Sequence, residues 1–189
     1  MNKTIGILVL WALAFFSCKT APKKETDKIG IARQYYQALD RSDGPAMEKL
    51  LADSLFTQEG DYRQTFSRAA YREWVKWDAV FEPRYEILQI AQESEGVVAK
   101  ISKGDKRIFF LHKAPIVTQQ VIRFDGNKIS GVETIDYIGF NESTFLDNRG
   151  KLLRWIEEHH PELNGFLYDQ TESGGMNYLK AIELYQDNN

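Results

Sequence analysis

The 189-residue sequence has one cysteine, Cys18. That excludes a disulfide framework and any zinc site built from several thiolates. It has no excess of positive charge: 24 Lys and Arg stand against 27 Asp and Glu. A nucleic-acid binder ordinarily carries a basic face, so no nucleic-acid partner is expected. The three histidines include no pair with the helical spacing of metal ligands, and there is no HExxH, no glycine-rich phosphate loop and no Gly-x-Ser-x-Gly elbow. No metal and no cofactor are expected. No apolar run reaches the ~20 residues of a membrane span. What is present is ordinary globular composition, 43% hydrophobic and 13% aromatic. A chain of this size buries about 70% of its extended surface and needs no staples.

The first residues read as an address. Lys3 is followed by an apolar run from Ile5 to Phe16, then Ser17 and Cys18. The run has the length of a signal h-region. A small residue before the sole cysteine resembles the bacterial lipoprotein lipobox, with Phe15 where most such boxes carry Leu, Val or Ile. The resemblance implies cleavage before Cys18 and lipidation there, hence an anchor in a bacterial cell-envelope membrane. More than one acyl chain makes such anchoring stable. The expected organisation is a signal peptide over residues 1–17, an acylated cysteine and tether over 18–25, a domain over 26–140 and a C-terminal helical extension of that domain over 141–189. The lysines of the KTAPKKE tether read chiefly as a solvated spacer.

Periodicity predicts a helix over 27–41 and a short second helix after the Ser42-Asp43-Gly44-Pro45 break. A short strand is expected near 55–58. A third helix is predicted from a Ser67 cap to about Phe81, ahead of Pro83. Strand-like runs then occupy 84–91, 96–102, 106–112, 116–124 and 128–137. Their short connections imply an antiparallel meander, with Asp125-Gly126 the strongest hairpin signal. Helices return over 143–160 and 173–186, with Gly174-Gly175 obscuring where the last one starts.

Helices followed by a curved antiparallel sheet make an α+β domain. Three segments, ARQYYQALDRSDGPAMEKLLADSLF (32–56), YREWVKWDAVFEPRYEILQI (71–90) and VIRFDGNKISGVETI (121–135), resemble the nuclear-transport-factor-2-like superfamily. That superfamily includes ketosteroid isomerase and the SnoaL-type cyclases. The resemblance implies a cone-shaped curved sheet packed by N-terminal helices. It also implies a tyrosine in the cone and, often, a homodimer through the sheet. It does not settle function, because the superfamily contains enzymes, binders and interaction modules.

The candidate site centres on Trp74, Trp77, Asp78 and Phe81, which share a helical face. A carboxylate among aromatic rings is disfavoured in its charged form and suits general acid–base work. The alternative is a structural Asp78 paired with Arg84 or Arg72, or bonded to a tyrosine hydroxyl. Tyr36, or its neighbour Tyr35, is the candidate cone tyrosine, and His112 the candidate relay partner. Glu133 is expected to line the pocket or to lie on the outer face, and one of Gln119 and Gln120 must point inward. His159 and His160 read as structural. Three readings follow: a non-catalytic module for a small apolar ligand or a protein partner, a cofactor-independent isomerase, dehydratase or cyclase using Asp78, or a scaffold whose sheet dimerises.

Overall fold

The computed structural model describes residues 27–94 and 96–188. Cys18 and the expected signal peptide and tether lie outside the described residues. Asp27 starts the first helix, its Oδ1 accepting from the Gly30 amide at 2.7 Å. This helix, α1 (Lys28–Asp40), is followed by α2 (Gly44–Leu50), which Asp43 caps in the same way. A hairpin of β1 (Leu51–Glu59) and β2 (Tyr62–Ser67) comes next. Ser67 Oγ then accepts from Ala70 and opens α3 (Arg68–Ala79). The meander follows as β3 (Arg84–Glu93), β4 (Gly96–Gly104), β5 (Ile116–Asp125) and β6 (Lys128–Ile138), with α4 (Lys106–His112) inserted between β4 and β5. The chain closes with α5 (Glu142–His159), a short 3₁₀ turn at Pro161–Leu163, and α6 (Glu172–Asp187).

The result is an α+β fold on a six-stranded, curved, open sheet in the order β2-β1-β6-β5-β4-β3. Irregular registers at Ile87/Gln89, Gln119/Gln120 and Arg123/Phe124 bend the strands, as bulges do. The sheet is not wholly antiparallel: β1 runs parallel to β6. The connection between them spans most of the domain, which a parallel pairing permits.

Two sequence expectations are corrected. Residues 106–112 form a helix, not a strand. Asp105 Oδ1 accepts from the Ile108 amide at 2.6 Å, and Lys113 closes the helix with a left-handed φ of 66°. The short strand expected at 55–58 is one part of a full hairpin. Its second strand was hidden by polarity, because only Phe66 of Tyr62–Ser67 is buried.

Two cores flank α3. The first joins α1, α2 and the inner face of the sheet around Tyr36, Met47, Leu55, Tyr71, Ile101 and Ile122. The second joins the far side of α3 to α4, α5 and α6 around Trp77, Phe81, Phe110, Leu152, Ile156 and Tyr178. Trp74 packs against both. The Gly174-Gly175 pair explains itself here. A Cβ on Gly175 would stand 3.1 Å from the Trp77 ring and carbonyl oxygen, and one on Gly174 would stand 2.2 Å from the Asp169 carbonyl. Glycine lets α6 seat directly on α3.

Candidate functional site

Between the two cores lies an open cavity of about 750 Å³. Alternation along β4 turns Val97, Ala99 and Ile101 inward and carries Lys103, at the strand's end, to the same side. The first helix contributes Tyr35, α3 contributes Tyr71, Trp74 and Trp77, and α4 contributes Arg107 and Ile108. The C-terminal extension supplies part of the wall through Phe145, Leu146 and Gln170.

A charged cluster sits at the inner end. Asp78 is 1% exposed. Its Oδ1 accepts from Lys103 Nζ at 2.5 Å, and its Oδ2 accepts from the Tyr85 hydroxyl at 2.8 Å. Lys103 Nζ also lies 3.7 Å from Asp105 Oδ2, and Arg107 Nη2 lies 3.6 Å from the same oxygen. The Lys103 ammonium stands 4.9 Å from the centre of the Tyr85 ring, and the Arg107 guanidinium 5.0 Å from that of Trp77, within cation–π range. Two carboxylates and two cations thus balance inside low-dielectric surroundings, which is how buried charge is tolerated.

Phenols complete the inner wall. The hydroxyls of Tyr35 and Tyr71 are 2.5 Å apart. Burial pushes the Tyr35, Tyr71 and Tyr85 phenols well above the ordinary value, and the nearby Asp78 charge adds to the effect. They remain neutral donors across the physiological range.

The structure sorts the residues singled out from sequence. Trp74 and Trp77 line the cavity. Asp78 lies behind the wall, reaching it through Lys103 and Tyr85. Tyr36 is buried in the first core, and its hydroxyl donates to Gln120 Oε1 at 2.8 Å; Tyr35 and Gln120 are the ones on the lining. Phe81 belongs to the second core. Glu133 is on the outer face, in a two-pronged ion pair with Arg123 at 2.9 Å, while its strand neighbours Val132 and Thr134 point into the cavity. His112 stacks on Phe140, accepts at Nε2 from the Asn141 amide at 2.9 Å, and lies 2.9 Å through Nδ1 from the Ala114 carbonyl. That geometry assigns the proton to Nδ1 and makes His112 a clamp on the start of α5, with no hydrogen bond to Asp78.

Sequence reasoning missed Lys103, Arg107 and Tyr85. Lys103 was hidden in an apparent Lys-Gly-Asp turn. The inward alternation of β4, extended by one step, is the signal that finds it. Arg107 fell in the segment taken for a strand. No group of three His, Cys, Asp or Glu side chains placed to hold a metal occurs among the described residues.

No protein-family model matches the sequence, and a search of curated proteins gave no match. Solved structures do resemble the fold. An NTF2-like protein of unknown function from Cytophaga hutchinsonii aligns at 11% identity over 61% of this chain and 94% of its own, with a TM-score of 0.48. A Catenulispora acidiphila protein with a ketosteroid isomerase-like fold, solved in complex with trimethylamine, aligns at 15% identity over 67% and 95%, with a TM-score of 0.49. The epoxide hydrolase/cyclase-like enzyme SalBIII of salinomycin pyran-ring formation aligns at 14% identity over 59% and 91%, with a TM-score of 0.49. Each is a distant likeness of architecture.

Proposed function

We propose that this chain is a lipid-anchored bacterial envelope protein whose nuclear-transport-factor-2-like, SnoaL-like domain binds a small, largely apolar molecule without transforming it. The observation that carries the binding reading is the occupancy of Asp78. Both carboxylate oxygens are already engaged, one by an ammonium and one by a phenol. Asp78 is also absent from the cavity lining, so no bound molecule meets it directly, whereas the cavity itself is large, aromatic and open, as ligand sites are. The test is a thermal-shift screen of small apolar compounds against the wild-type chain and Trp74→Ala. A ligand stabilises the fold by mass action and loses about tenfold or more in affinity in the variant. Hits indifferent to Trp74, or no hit at all, sink the reading.

The anchor is tested separately. Cys18→Ser moves the protein out of the membrane fraction and abolishes incorporation of a labelled fatty acid; unchanged fractionation and labelling would remove the lipoprotein assignment.

The enzymatic alternative, an isomerase, dehydratase or cyclase using Asp78 as general acid or base, is supported by one feature: the Tyr85 hydroxyl, bonded to Asp78, belongs to a residue on the cavity wall. Under that reading Tyr85→Phe retains ligand affinity and loses turnover. Under the binding reading no turnover exists to lose.

A further inference from the structure

Two hydrogen-bond donors on residues of the cavity wall have no partner among the described residues. They are Trp77 Nε1 and Arg107 Nε, and both are buried. Trp77 is 6% exposed. The acceptors nearby are spoken for or too far away. Asp78 is used by Lys103 and Tyr85. Asp105 Oδ1 caps α4, and its Oδ2 makes no hydrogen bond, standing 3.6 Å from Arg107 Nη2 and 3.7 Å from Lys103 Nζ. Native proteins rarely leave buried donors unmatched, and such positions mark where a ligand supplies the missing atoms.

We infer that the cavity takes an organic carboxylic acid, its carboxylate set against Arg107 and Trp77 and its ring-bearing body against Tyr71, Trp74 and Phe66. This rests on the binding reading above and narrows it. A carboxylate supplies two in-plane acceptors, which suits the guanidinium fork. Arg107 is pre-positioned, because its guanidinium lies over both Trp77 and Phe81 and beside Asp105. Asp78 and Asp105 offset the charges of Lys103 and Arg107, so the ligand's carboxylate is met by hydrogen-bond donors and not by a surplus of positive charge. The acidic side chains on the lining, Glu59 and Glu142, are exposed. They place negative charge at the mouth, which favours a ligand with its acid inside and a neutral far end.

Calorimetric titration of the purified full chain with 1-naphthaleneacetate and with 1-naphthaleneacetamide, its neutral isostere, tests the assignment. The acid binds about tenfold or more tightly than the amide, the size of effect a charge-assisted hydrogen bond produces. Arg107→Gln erases the preference. Trp77→Phe keeps a ring, removes the N–H and lowers acid affinity severalfold. Equal affinities, or an acid preference that survives Arg107→Gln, overturn the carboxylate assignment and leave a binding cavity standing. Binding of neither compound overturns both. Should Arg107→Gln fail to fold, the acid–amide difference on the unaltered chain and the Trp77→Phe result decide the matter.

Discussion

Lys103 Nζ meets Asp78 Oδ1 at 2.5 Å, joining the end of β4 to the last turn of α3. The Asp78 side chain is 2% exposed and that of Lys103 is 18% exposed. Removing either partner strands a charge that has little water to turn to. Asp78→Ala or Lys103→Met is therefore expected to cost about 3 kcal/mol, at the low end for a buried pair because Lys103 touches the cavity. Replacing both at once, Asp78→Leu with Lys103→Met, recovers most of that loss, since an apolar pair of similar volume leaves no unpaired charge. Urea unfolding of the four proteins checks this. Single variants that cost nothing, or a double variant as weak as the sum of the singles, contradict it.

His112 makes a different kind of structural bond. Both its ring nitrogens are engaged by backbone groups, and its ring is stacked on Phe140. His112→Leu leaves the Asn141 amide and the Ala114 carbonyl unmatched and is expected to cost about 1–3 kcal/mol. Ligand affinity at saturating folded protein stays within about twofold, because His112 is not on the cavity lining. A variant of normal stability that no longer binds would return His112 to the site.

Alkaline pH reaches the molecule through its tyrosines. Burial raises the phenols of Tyr35, Tyr36, Tyr71, Tyr85, Tyr137 and Tyr178 above the ordinary tyrosine value of about 10. The neutral form is the protonated one, so the fold favours bound protons. This contribution is complete below about pH 10 and is lost as pH rises further, when the unfolded chain ionises and the folded one resists. Stability is expected to fall steeply above pH 10, with these six phenols ionising cooperatively as the chain unfolds. Absorbance of tyrosinate followed alongside circular dichroism reads both events. Ionisation of all six ahead of any loss of structure contradicts the burial.

Glycine to alanine within a helix ordinarily helps by up to about 1 kcal/mol. Gly174→Ala in α6 is expected to do the reverse. Its Cβ would meet the Asp169 carbonyl oxygen, a backbone atom, at 2.2 Å. A net loss of about 1–3 kcal/mol follows from forcing the first turn of α6 away from the loop before it. Denaturant midpoints that rise instead would mean that the loop moves freely.

Much of the architecture is written in local chemistry. Ser67 caps α3, Asp125-Gly126 turns β5 into β6, and the helical stripes of α1 and α5 fall where the apolar residues recur. The segments that deceived are those whose state is decided elsewhere. Ile108 to His112 is too short to display a helical period, and only the Asp105 cap and the left-handed Lys113 separate it from a buried strand. The polar strand β2 is an edge strand fixed by pairing with β1, not by its own pattern. The tryptophans of the site could be read from their stripe, because helix spacing is local. Lys103 is legible only as one further step of the β4 alternation and Arg107 not at all, because what makes them notable is the pair of carboxylates, Asp78 and Asp105, beside them. Phe81 falls on the sequence stripe of Trp74 and Trp77, yet α3 ends at Ala79, so the chain has left the helix by Phe81 and buries it in the second core.

Trp74 and Trp77 face the cavity, while Trp155 stacks on His159 and lies beside His160 near the end of α5. Two of the three indoles among the described residues are therefore next to whatever the cavity holds, and the third is not. Indole emission responds to the polarity and hydrogen bonding around the ring, and the Trp77 N–H has no partner among the described residues. The domain thus has an optical gauge built in. Filling the cavity shifts the colour of two emitters against a fixed third, and occupancy can be followed with no dye and no label.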